Sequence, residues 1–431
     1  MKLEIKLGLI FSQAGMGITK MIRVSVNLYR PYSCIMPAQT TAASRIYSID
    51  ILRGIVMIIM ALDHVRDFFH ITASTDSPTN LATTTPILFF TRWITHFCAP
   101  TFVLLAGVSA YLMGQKKTKS ELSHFLIIRG CWLLLVEVLI VTFAWTFNPF
   151  YSIIILQVIW AIGISMIILG IFVRFSYRVI LLTGLIIICC HNLLDYPETA
   201  QHGSIGFFWD LMHHGAFTPY TLFHNHKAVI VYAFLPWAGI MMTGYGIGKV
   251  FGKKFSSVQR KKILFSTGAG LLFLFLVLRF INAYGDPAPW SVQRSPMYTL
   301  LSFLNVTKYP PSLDYIGVTI GISLIVLGLL DNVSGKSLQF LISFGRVPFF
   351  YYVLHLYLIH LTVLVFFILE KFPAKDIAPQ HSPFLFRPDR FGYGLWIVYG
   401  IWILLILLTY PLCKWYSRYK ATHHAWWLSY I

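Results

Sequence analysis

The sequence predicts an all-α fold, a polytopic bundle of about ten transmembrane helices with both termini in the cytoplasm. Its 431 residues are 57% hydrophobic and only 12% charged, with a mean hydropathy of +0.69. Those values lie far from the average of soluble globular proteins. The apolar runs are about 20 residues long, which is the length of a membrane helix and not of a barrel strand. A multi-pass helical protein in a lipid bilayer is therefore expected.

The positions of the basic residues explain the net charge of +18 and predict the orientation. They form short clusters between apolar runs, which is typical of membrane topology, so no nucleic-acid partner is expected. Alternate connections form two sets that hold 15 and 7 lysine and arginine residues. The richer set comprises 115–122, 174–178, 249–262, 331–337 and the tail after 413. The positive-inside rule makes that set cytoplasmic, together with both termini.

Taken in chain order, ten apolar runs predict the membrane helices. The eighth run follows Pro310 and Pro311, and proline is tolerated at a helix start. Gly244, Gly246 and Gly248 lie inside the sixth run, so they indicate close helix packing and not a dinucleotide site. The ten predicted helices lie at about 46–69, 87–114, 123–146, 152–173, 177–195, 228–250, 261–283, 314–332, 338–369 and 392–413.

Two segments flank the predicted transmembrane domain, which spans residues 45–413. Residues 1–44 are expected to be either a disordered leader or a stretch that precedes a true start at Met36. Residues 414–431 are expected to form a basic and aromatic tail in the cytoplasm. The six cysteines lie mostly in or beside apolar runs, where a thiol acts as a small hydrophobic group, so no disulfide framework is expected.

The first predicted helix carries an unusual number of ionisable residues. It is apolar enough to cross a bilayer, yet it holds Asp50, Arg53, Asp63, His64 and Asp67. Ionisable groups cost several kcal/mol in hydrocarbon, so they persist where they face a protein interior or an aqueous cavity. This helix is therefore expected to line a site and not to serve as a plain anchor.

The outer halves of several predicted helices carry histidine, carboxylate and amide groups. At a rise of about 1.5 Å per residue, His64 lies roughly 21 Å further out than Asp50. Imidazole suits proton transfer near neutral pH. One buried histidine is as often structural as functional, but five polar residues from five helices favour a site. The residues expected to meet in this outward-facing cavity are His64, His96, Glu137, Gln157 and His355.

The cytoplasmic halves carry arginines instead. Guanidinium binds phosphate in a bidentate way, so an arginine cluster there suits an anionic ligand with phosphate groups. Arg92, Arg129 and Arg279 lie near helix ends, where snorkelling to the interface is the simpler interpretation. The predicted cytoplasmic cluster consists of Arg53, Arg129 and Arg346.

The loop between the fifth and sixth predicted helices is rich in histidine. A zinc hydrolase would place two histidines at i and i+4 beside a glutamate on one helix, and this loop lacks that pattern. We interpret it as a solvated loop and expect no metal. Its histidines are His202, His213, His214, His224 and His226.

Four segments of the chain resemble the catalytic-domain family of heparan-α-glucosaminide N-acetyltransferase. Arg45–Gly54 (RIYSIDILRG) is the most specific of them, and Ile94–Met113 and Ile155–Gly163 also fit. Gly345–Leu361 (GRVPFFYYVLHLYLIHL) resembles the late helix of the bacterial multi-pass branch and of the wider transmembrane acyltransferase group. The match is strongest over about residues 45–170 and 340–365, and between those two stretches only the hydropathy pattern agrees.

This resemblance implies acetyl transfer across a membrane, from cytosolic acetyl-CoA to an amino sugar or glycan on the far side. In the family, a histidine just past the first helix assists, and an asparagine near the end of that helix takes part. The resemblance places His64 at the asparagine position and makes His70 the positional candidate for the catalytic histidine. His96 falls where the eukaryotic branch carries an aspartate.

The resulting hypothesis is an acyl-CoA-dependent acetyltransferase of the bacterial inner membrane. Either His64 or His70 acts as the general base, oriented by a neighbouring aspartate. The predicted catalytic residues are Asp63, His64, Asp67, His70, His96 and His355. The residues expected to bind the donor, acetyl-CoA, are Asp50, Arg53, Arg129, Gln157 and Arg346.

Two rival interpretations stay open. A transporter or exporter of a small polar or glycolipid substrate would also use intramembrane carboxylates and histidines. It would be favoured by paired inverted repeats with broken helices, and no clear pair is visible in the sequence. O-acylation of a glycan hydroxyl is the same chemistry on another acceptor. The sequence leaves open the acceptor, a covalent acetyl-histidine and the oligomeric state, for which a homodimer is one option.

Overall fold

The computed structural model describes residues 46–200, 205–215, 217, 219–333, 338–423 and 425–429. The predicted leader, residues 1–44, lies outside them. The described chain is mostly helical, as the sequence predicts. Its α-helices are α1 (Tyr47–Phe69), α2 (Pro86–Thr95), α3 (Cys98–Gly114), α4 (Lys119–Val136), α5 (Thr142–Thr146), α6 (Val158–Phe172), α7 (Tyr177–Cys190), α8 (Asp195–Ala200), α9 (Phe207–Trp209), α10 (Phe234–Ile247), α11 (Ser257–Ile281), α12 (Pro296–Leu304), α13 (Leu313–Leu330), α14 (Gln339–Arg346), α15 (Pro348–Leu369) and α16 (Leu395–Thr422).

Seven helical stretches among the described residues are long and apolar enough to cross a membrane. They are Pro86–Gly114, Lys119–Thr146, Tyr177–Ala200, Ser257–Ile281, Leu313–Leu330, Pro348–Leu369 and Leu395–Thr422. Three of the predicted membrane helices are not among them. The helix α1 carries more charged residues than a membrane-spanning stretch usually does. The helices α6 and α10 are only 15 and 14 residues long. The seven stretches indicate a multi-pass membrane protein.

The helix α1 lies among the other helices of the bundle. It packs against α2, α3, α13, α14, α15 and α16. Most of its 23 residues are buried, including Asp50, Asp63 and Arg66. These three charged side chains therefore face protein and not lipid, which avoids the cost of placing ionisable groups in hydrocarbon.

Two predicted helices are each broken by a proline. The helix expected at 338–369 ends at Arg346 and restarts at Pro348, because proline disfavours the helical conformation of the residue before it. Val347 accordingly adopts φ −130° and ψ 49°. The helix expected at 87–114 breaks after Thr95. Pro100 has no N–H to donate to the carbonyl oxygen of His96, and that oxygen instead accepts a hydrogen bond from the Tyr315 hydroxyl at 2.8 Å.

A three-stranded sheet was not predicted. Its order is β1 (Ile153–Leu156), β3 (His226–Ile230) and β2 (Pro219–Phe223), with β1 parallel and β2 antiparallel to β3. Short apolar runs do not distinguish a strand from the start of a helix, and three consecutive isoleucines favour the strand. The helices expected from 152 and 228 therefore begin later, as α6 and α10. At the other end of the chain, α16 continues past the predicted end at 413.

Glycines let α1 and α14 cross in backbone contact. A Cβ atom at Gly345 would overlap the carbonyl oxygen of Asp50, and one at Gly54 would overlap the carbonyl oxygen of Leu341. Small residues at membrane-helix crossings permit this close approach. The crossing places Arg346, which follows Gly345, beside the N-terminal half of α1.

We expect Gly345→Ala to destabilise the protein by about 3 kcal/mol, the upper end of the usual cost of overpacking. The added methyl group would meet the backbone of Asp50, which cannot rotate away as a side chain can. The measurement is the melting temperature of the purified protein in detergent. Gly400→Ala is the matched control, because a Cβ atom at Gly400 on α16 meets nothing within 4 Å. Equal melting temperatures for the two variants would contradict the crossing.

Candidate active site along helix α1

His64 on α1 and His355 on α15 are in direct contact inside the bundle. The Nδ1 of His64 lies 2.7 Å from the Nε2 of His355, and the Nδ1 of His355 lies 2.7 Å from the carbonyl oxygen of Tyr351. The two ring planes are within 9° of each other and their centroids are 5.0 Å apart, so the hydrogen bond runs nearly in the plane of both rings. The structure thus brings two of the predicted site residues together as a histidine pair.

The carbonyl group of Tyr351 determines the protonation pattern of this pair. A carbonyl oxygen only accepts, so the Nδ1 of His355 donates and the Nε2 of the neutral ring accepts. The Nδ1 of His64 must then donate, which leaves the Nε2 of a neutral His64 with its lone pair available. His355 is fully buried, whereas His64 keeps part of its surface accessible. His64 is therefore the member of the pair that can take a proton from a substrate.

Aromatic side chains enclose the histidine pair. Trp145 meets the His64 ring edge-on with 5.0 Å between centroids, and Tyr352 does so at 6.1 Å. The Tyr351 ring stacks on His355 with 4.9 Å between centroids. The three aromatic residues are at most 3% exposed, so little water reaches the hydrogen bond between the histidines. In a dry site that hydrogen bond is electrostatically stronger than it would be in water.

Asp63 is the hub of a second polar cluster, one residue before His64. Its carboxylate accepts a hydrogen bond from Arg66 at 2.7 Å and another from Arg92 on α2. Arg66 also donates to Asp67 at 2.6 Å. In place of the expected orientation of a histidine by an aspartate, both carboxylates pair with arginines. The physical reason is that buried guanidinium groups require a nearby counter-charge.

Arg92, Lys308 and Tyr309 join this cluster from outside α1, and sequence patterns assigned none of them to a site. Snorkelling was the simpler interpretation of Arg92, yet it hydrogen-bonds both Asp63 and Tyr309. Lys308 is only 9% exposed, and its Nζ lies 5.0 Å from the centroid of the Tyr309 ring. Burial alone would raise the pKa of Tyr309, but the cations Lys308 and Arg92 bring it below its ordinary value. A lone lysine beside two prolines was the available sequence signal.

His70 follows the last residue of α1 and is buried. Its Nδ1 accepts a hydrogen bond from the backbone N–H of Thr72 at 3.3 Å. A neutral His70 therefore carries its proton on Nε2, where it presents a donor and not a base. Arg387 donates to the carbonyl oxygens of Phe68 at 2.8 Å and of His70 at 3.1 Å, which holds this end of α1 in place. Of the two predicted bases, His64 is the one with an available lone pair.

Burial, with the Arg66 and Arg387 guanidinium groups nearby, lowers the pKa of His70 below its ordinary value of 6.5. The unfolded chain therefore binds a proton below about pH 6.5 that the folded protein does not bind, so the free energy of unfolding falls as the pH falls. We expect the melting temperature to drop from pH 7.5 to 5.5, and to drop less in His70→Gln. His124→Gln, at an exposed histidine on α4, should keep the wild-type drop. Identical drops in all three proteins would contradict this assignment.

The other residues expected in the outer cavity have separate partners. His96 lies in the turn between α2 and α3, with its ring centroid 5.4 Å from that of Tyr315. Its buried Nδ1 has no hydrogen-bond partner among the described residues. Glu137 is fully buried and accepts from the backbone N–H groups of Gln157 at 3.3 Å and Trp160 at 2.8 Å. Glu137 thus caps the start of α6, which satisfies helix donors that would otherwise be unpaired.

Three of the five residues predicted to bind the donor meet at the N-terminal end of α1, where Asp50 and Arg53 lie on α1 itself and Arg346 ends α14. The carboxylate of Asp50 lies 3.9 Å from Nη1 of Arg53 and 4.0 Å from Nε of Arg346. Arg53 also donates to the carbonyl oxygen of Leu105 at 3.0 Å and to the hydroxyl of Ser109, both on α3. The Nε of Arg346 is buried without a hydrogen-bond partner among the described residues. Two guanidinium groups within 4.0 Å of one carboxylate, one of them with an unused donor, fit a ligand that carries phosphate groups.

The remaining two predicted donor residues lie on other elements. Arg129 is on α4, which packs mainly against α6, and its guanidinium carbon lies 5.9 Å from the centroid of the Phe125 ring. Gln157 immediately precedes α6, beside Glu137. The described contacts therefore join Asp50, Arg53 and Arg346, and they do not connect Arg129 or Gln157 to that group.

The fold and these clusters define a multi-pass membrane protein with a buried polar centre built around α1. Its sequence matches a protein-family model described as heparan-alpha-glucosaminide N-acetyltransferase, catalytic, over residues 45–278. That match covers more than half of the chain, so the protein belongs to this family, and the resemblance to the family is confirmed. The resemblance of Gly345–Leu361 to the bacterial branch lies outside the matched residues and stays a prediction. No curated protein matches the chain. Family membership indicates a membrane acetyltransferase.

Proposed function

We propose that this protein transfers an acetyl group from cytosolic acetyl-CoA to an extracytoplasmic amino sugar or glycan, in the inner membrane of a bacterium. The family match supports the reaction class. The observation that carries the proposal is the histidine pair, in which the carbonyl group of Tyr351 leaves His64 with a free Nε2. Such a group is the general base that acyl transfer to an amine requires.

The proposed topology has ten membrane helices with both termini in the cytoplasm. It adds α1, α6 and α10 to the seven long apolar stretches. Helices of 14 or 15 residues span about 21–23 Å, and their flanking turns extend that length toward the roughly 30 Å hydrocarbon core. The distribution of basic residues supports the orientation. In this arrangement residues 45–413 form the acyltransferase domain and residues after 413 reach into the cytoplasm.

The proposed donor site lies at the cytoplasmic end of α1. Arg53 and Arg346 would bind donor phosphates, and the Asp50 carboxylate lies within 4.0 Å of both guanidinium groups. His64 follows Arg53 by 11 residues, which is roughly 16 Å along the helix. A donor bound by its phosphates at this end would extend its acyl group along α1 toward His64. Arg129 and Gln157 remain predicted contributors, although no described contact ties them to Arg53.

The proposed chemistry assigns His64 the role of general base. Its Nε2 would take the proton of the acceptor amine as the nitrogen attacks the acetyl carbonyl carbon. The carbon–sulfur bond of acetyl-CoA would break, and the departing CoA thiolate would take up that proton from His64 to give the free thiol. His355 would be a positioning residue, since its Nε2 accepts the hydrogen bond that Nδ1 of His64 donates. That bond keeps the proton of His64 on Nδ1, so the reactive Nε2 stays unprotonated. His70 and His96 would lie at the acceptor end of α1, where the Nε2–H of His70 is a donor for an acceptor oxygen. Asp63 and Asp67 would act through the arginines that they hold.

The test is thiol release from acetyl-CoA by the full-length protein in detergent, with and without glucosamine. We expect thiol release that depends on the acceptor and gives an N-acetylated product. A comparison of glucosamine with an acceptor that has only hydroxyl groups separates N-acylation from O-acylation. If the protein binds glucosamine but releases no thiol from acetyl-CoA, acetyl transfer is refuted and the transporter is favoured.

A further inference from the structure

A second cluster of ligating side chains lies away from α1, where α7 ends. A 3₁₀ turn (His191–Leu194), the short helix α8 and a π-helical turn (Asp210–His214) bring four such residues together. The ligating atoms of Asp195, Glu198 and His213 all lie within 4.8 Å of one another. The Nδ1 of His191 lies 3.1 Å from the Nε2 of His213. No residue of this cluster takes part in the proposed acetyl transfer.

Glu198 determines which nitrogen of His213 is available. Its carboxylate lies 2.7 Å from the Nδ1 of His213 and also accepts the Trp209 indole N–H at 2.7 Å. Because a carboxylate accepts, the Nδ1 of His213 carries the proton and its Nε2 offers a lone pair. This nitrogen faces the Nδ1 of His191 at 3.1 Å and the carboxylate of Asp195 at 3.9 Å. A carboxylate behind a histidine is the arrangement that orients histidine ligands of metal ions.

The spacing of these atoms suits a tetrahedral ion. Zinc–nitrogen bonds of about 2.0–2.1 Å in tetrahedral geometry separate neighbouring ligand atoms by roughly 3.3 Å. The two observed separations, 3.1 Å and 3.9 Å, lie on either side of that value. Asn192 donates to one oxygen of Asp195 at 2.7 Å, which leaves the other oxygen directed at His213. His191 and His213 are 3% and 0% exposed, so the cluster is largely closed to water.

We propose that His191, Asp195 and His213 bind a divalent transition-metal ion, with Glu198 as the positioning residue behind His213. Two imidazoles and a carboxylate are a typical ligand set for Zn²⁺. The interpretation of this loop as solvated is wrong for His213, because the residue is fully buried. Sequence reasoning missed the site because its ligands are separated along the chain and do not share one helix face.

The bound metal would tie three elements together. It would join the end of α7 and the π-helical turn directly. The side-chain oxygen of Asn192 accepts the backbone N–H of Leu313 at 2.9 Å, so the same cluster reaches the first residue of α13. Metal binding to a site that exists only in the folded state stabilises that state.

The test uses the full-length protein, purified in detergent without a polyhistidine tag and stripped with a chelator. Incubation with Zn²⁺ and removal of the free ion should leave one zinc per chain by elemental analysis, and should raise the melting temperature. His213→Gln and Asp195→Asn should each lower the retained zinc at least tenfold and remove the thermal shift. His214→Gln is the matched control, because His214 is the neighbouring residue and its ring faces Asp210 instead.

Two outcomes would overturn the proposal. Wild-type protein that retains no zinc excludes the site. Equal losses in His214→Gln and His213→Gln would mean adventitious surface binding only. If His213→Gln fails to elute as a folded protein in size-exclusion chromatography, Asp195→Asn decides, since the change is isosteric and Asp195 is partly exposed. These outcomes do not depend on acetyl transfer, so they are independent of the test of the proposed function.

Discussion

We expect His64→Ala to lower the rate of acetyl transfer about 10²–10⁴-fold, the range that a general base contributes. The variant removes the nitrogen that we propose as the acceptor of the substrate proton. It leaves the arginine clusters at both ends of α1 in place, so donor binding should persist. The measurement is acceptor-dependent thiol release beside the affinity for acetyl-CoA. A loss of turnover with retained affinity identifies a residue that acts in the chemical step.

Three further histidine variants separate catalysis from structure. His355→Ala should retain part of the activity but change its pH profile, because His64 loses the acceptor that keeps its proton on Nδ1. His70→Ala should have a much smaller effect than His64→Ala. His360→Gln is the matched control: it lies on the same helix as His355, and both of its nitrogens face backbone carbonyl oxygens, of Ala144 and Leu385. Full activity in both His64→Ala and His70→Ala would reject the catalytic assignment.

We expect Asp63→Ala to destabilise the protein by about 3–5 kcal/mol, the usual cost of removing one partner from a buried ion pair. Asp63 is 6% exposed and accepts hydrogen bonds from both Arg66 and Arg92, so its loss leaves two buried guanidinium groups short of counter-charge. The measurement is the melting temperature in detergent together with the yield of folded protein. The effect should persist at high salt, because buried pairs are screened far less than exposed ones.

Two comparisons test whether the pairing itself is responsible. Asp67→Asn should be milder, since Asp67 accepts a hydrogen bond from Arg66 alone among the described residues and 36% of its side chain is exposed. The double variant Asp63→Asn with Arg92→Gln should be more stable than the sum of the two single changes predicts. Each single variant leaves one charge of the pair without its partner, whereas the double variant removes both charges. Strict additivity would show that Asp63 and Arg92 contribute independently and would contradict their pairing.

The importance of α1 could be predicted from sequence, whereas the partners of its charged residues could not. An apolar run with several ionisable residues has to bury them against protein, and that constraint identified His64 and Asp63. Helical rise gives depth along the membrane, and so it placed His355 in the same half as His64. Rotation about each helix axis is set by packing, and sequence does not determine it. Arg92 therefore pairs with Asp63, although its position near a helix end suggested snorkelling.

Some secondary-structure boundaries follow from local sequence rules, whereas others depend on contacts with distant residues. Pro348 carries a local rule that could have located the end of α14, because the residue before a proline avoids the helical conformation. Local β-propensity favours a strand at Ile153–Leu156 but does not determine it, since its partner, His226–Ile230, lies about 70 residues away along the chain. The acidic cap of α6 is also non-local, because Glu137 reaches Gln157 and Trp160 across a turn of the chain.

The order of donors and acceptors along the histidine pair limits where protons can travel. A proton taken up at Nε2 of His64 can be passed on through Nδ1 to His355, but the next group is the carbonyl oxygen of Tyr351. That oxygen accepts a hydrogen bond and is not a base at physiological pH. The histidine pair therefore does not conduct protons from one side of the membrane to the other. In the proposed reaction, a proton that Nε2 of His64 takes from the acceptor therefore has to leave through that same nitrogen, to the departing CoA thiolate, and not through His355.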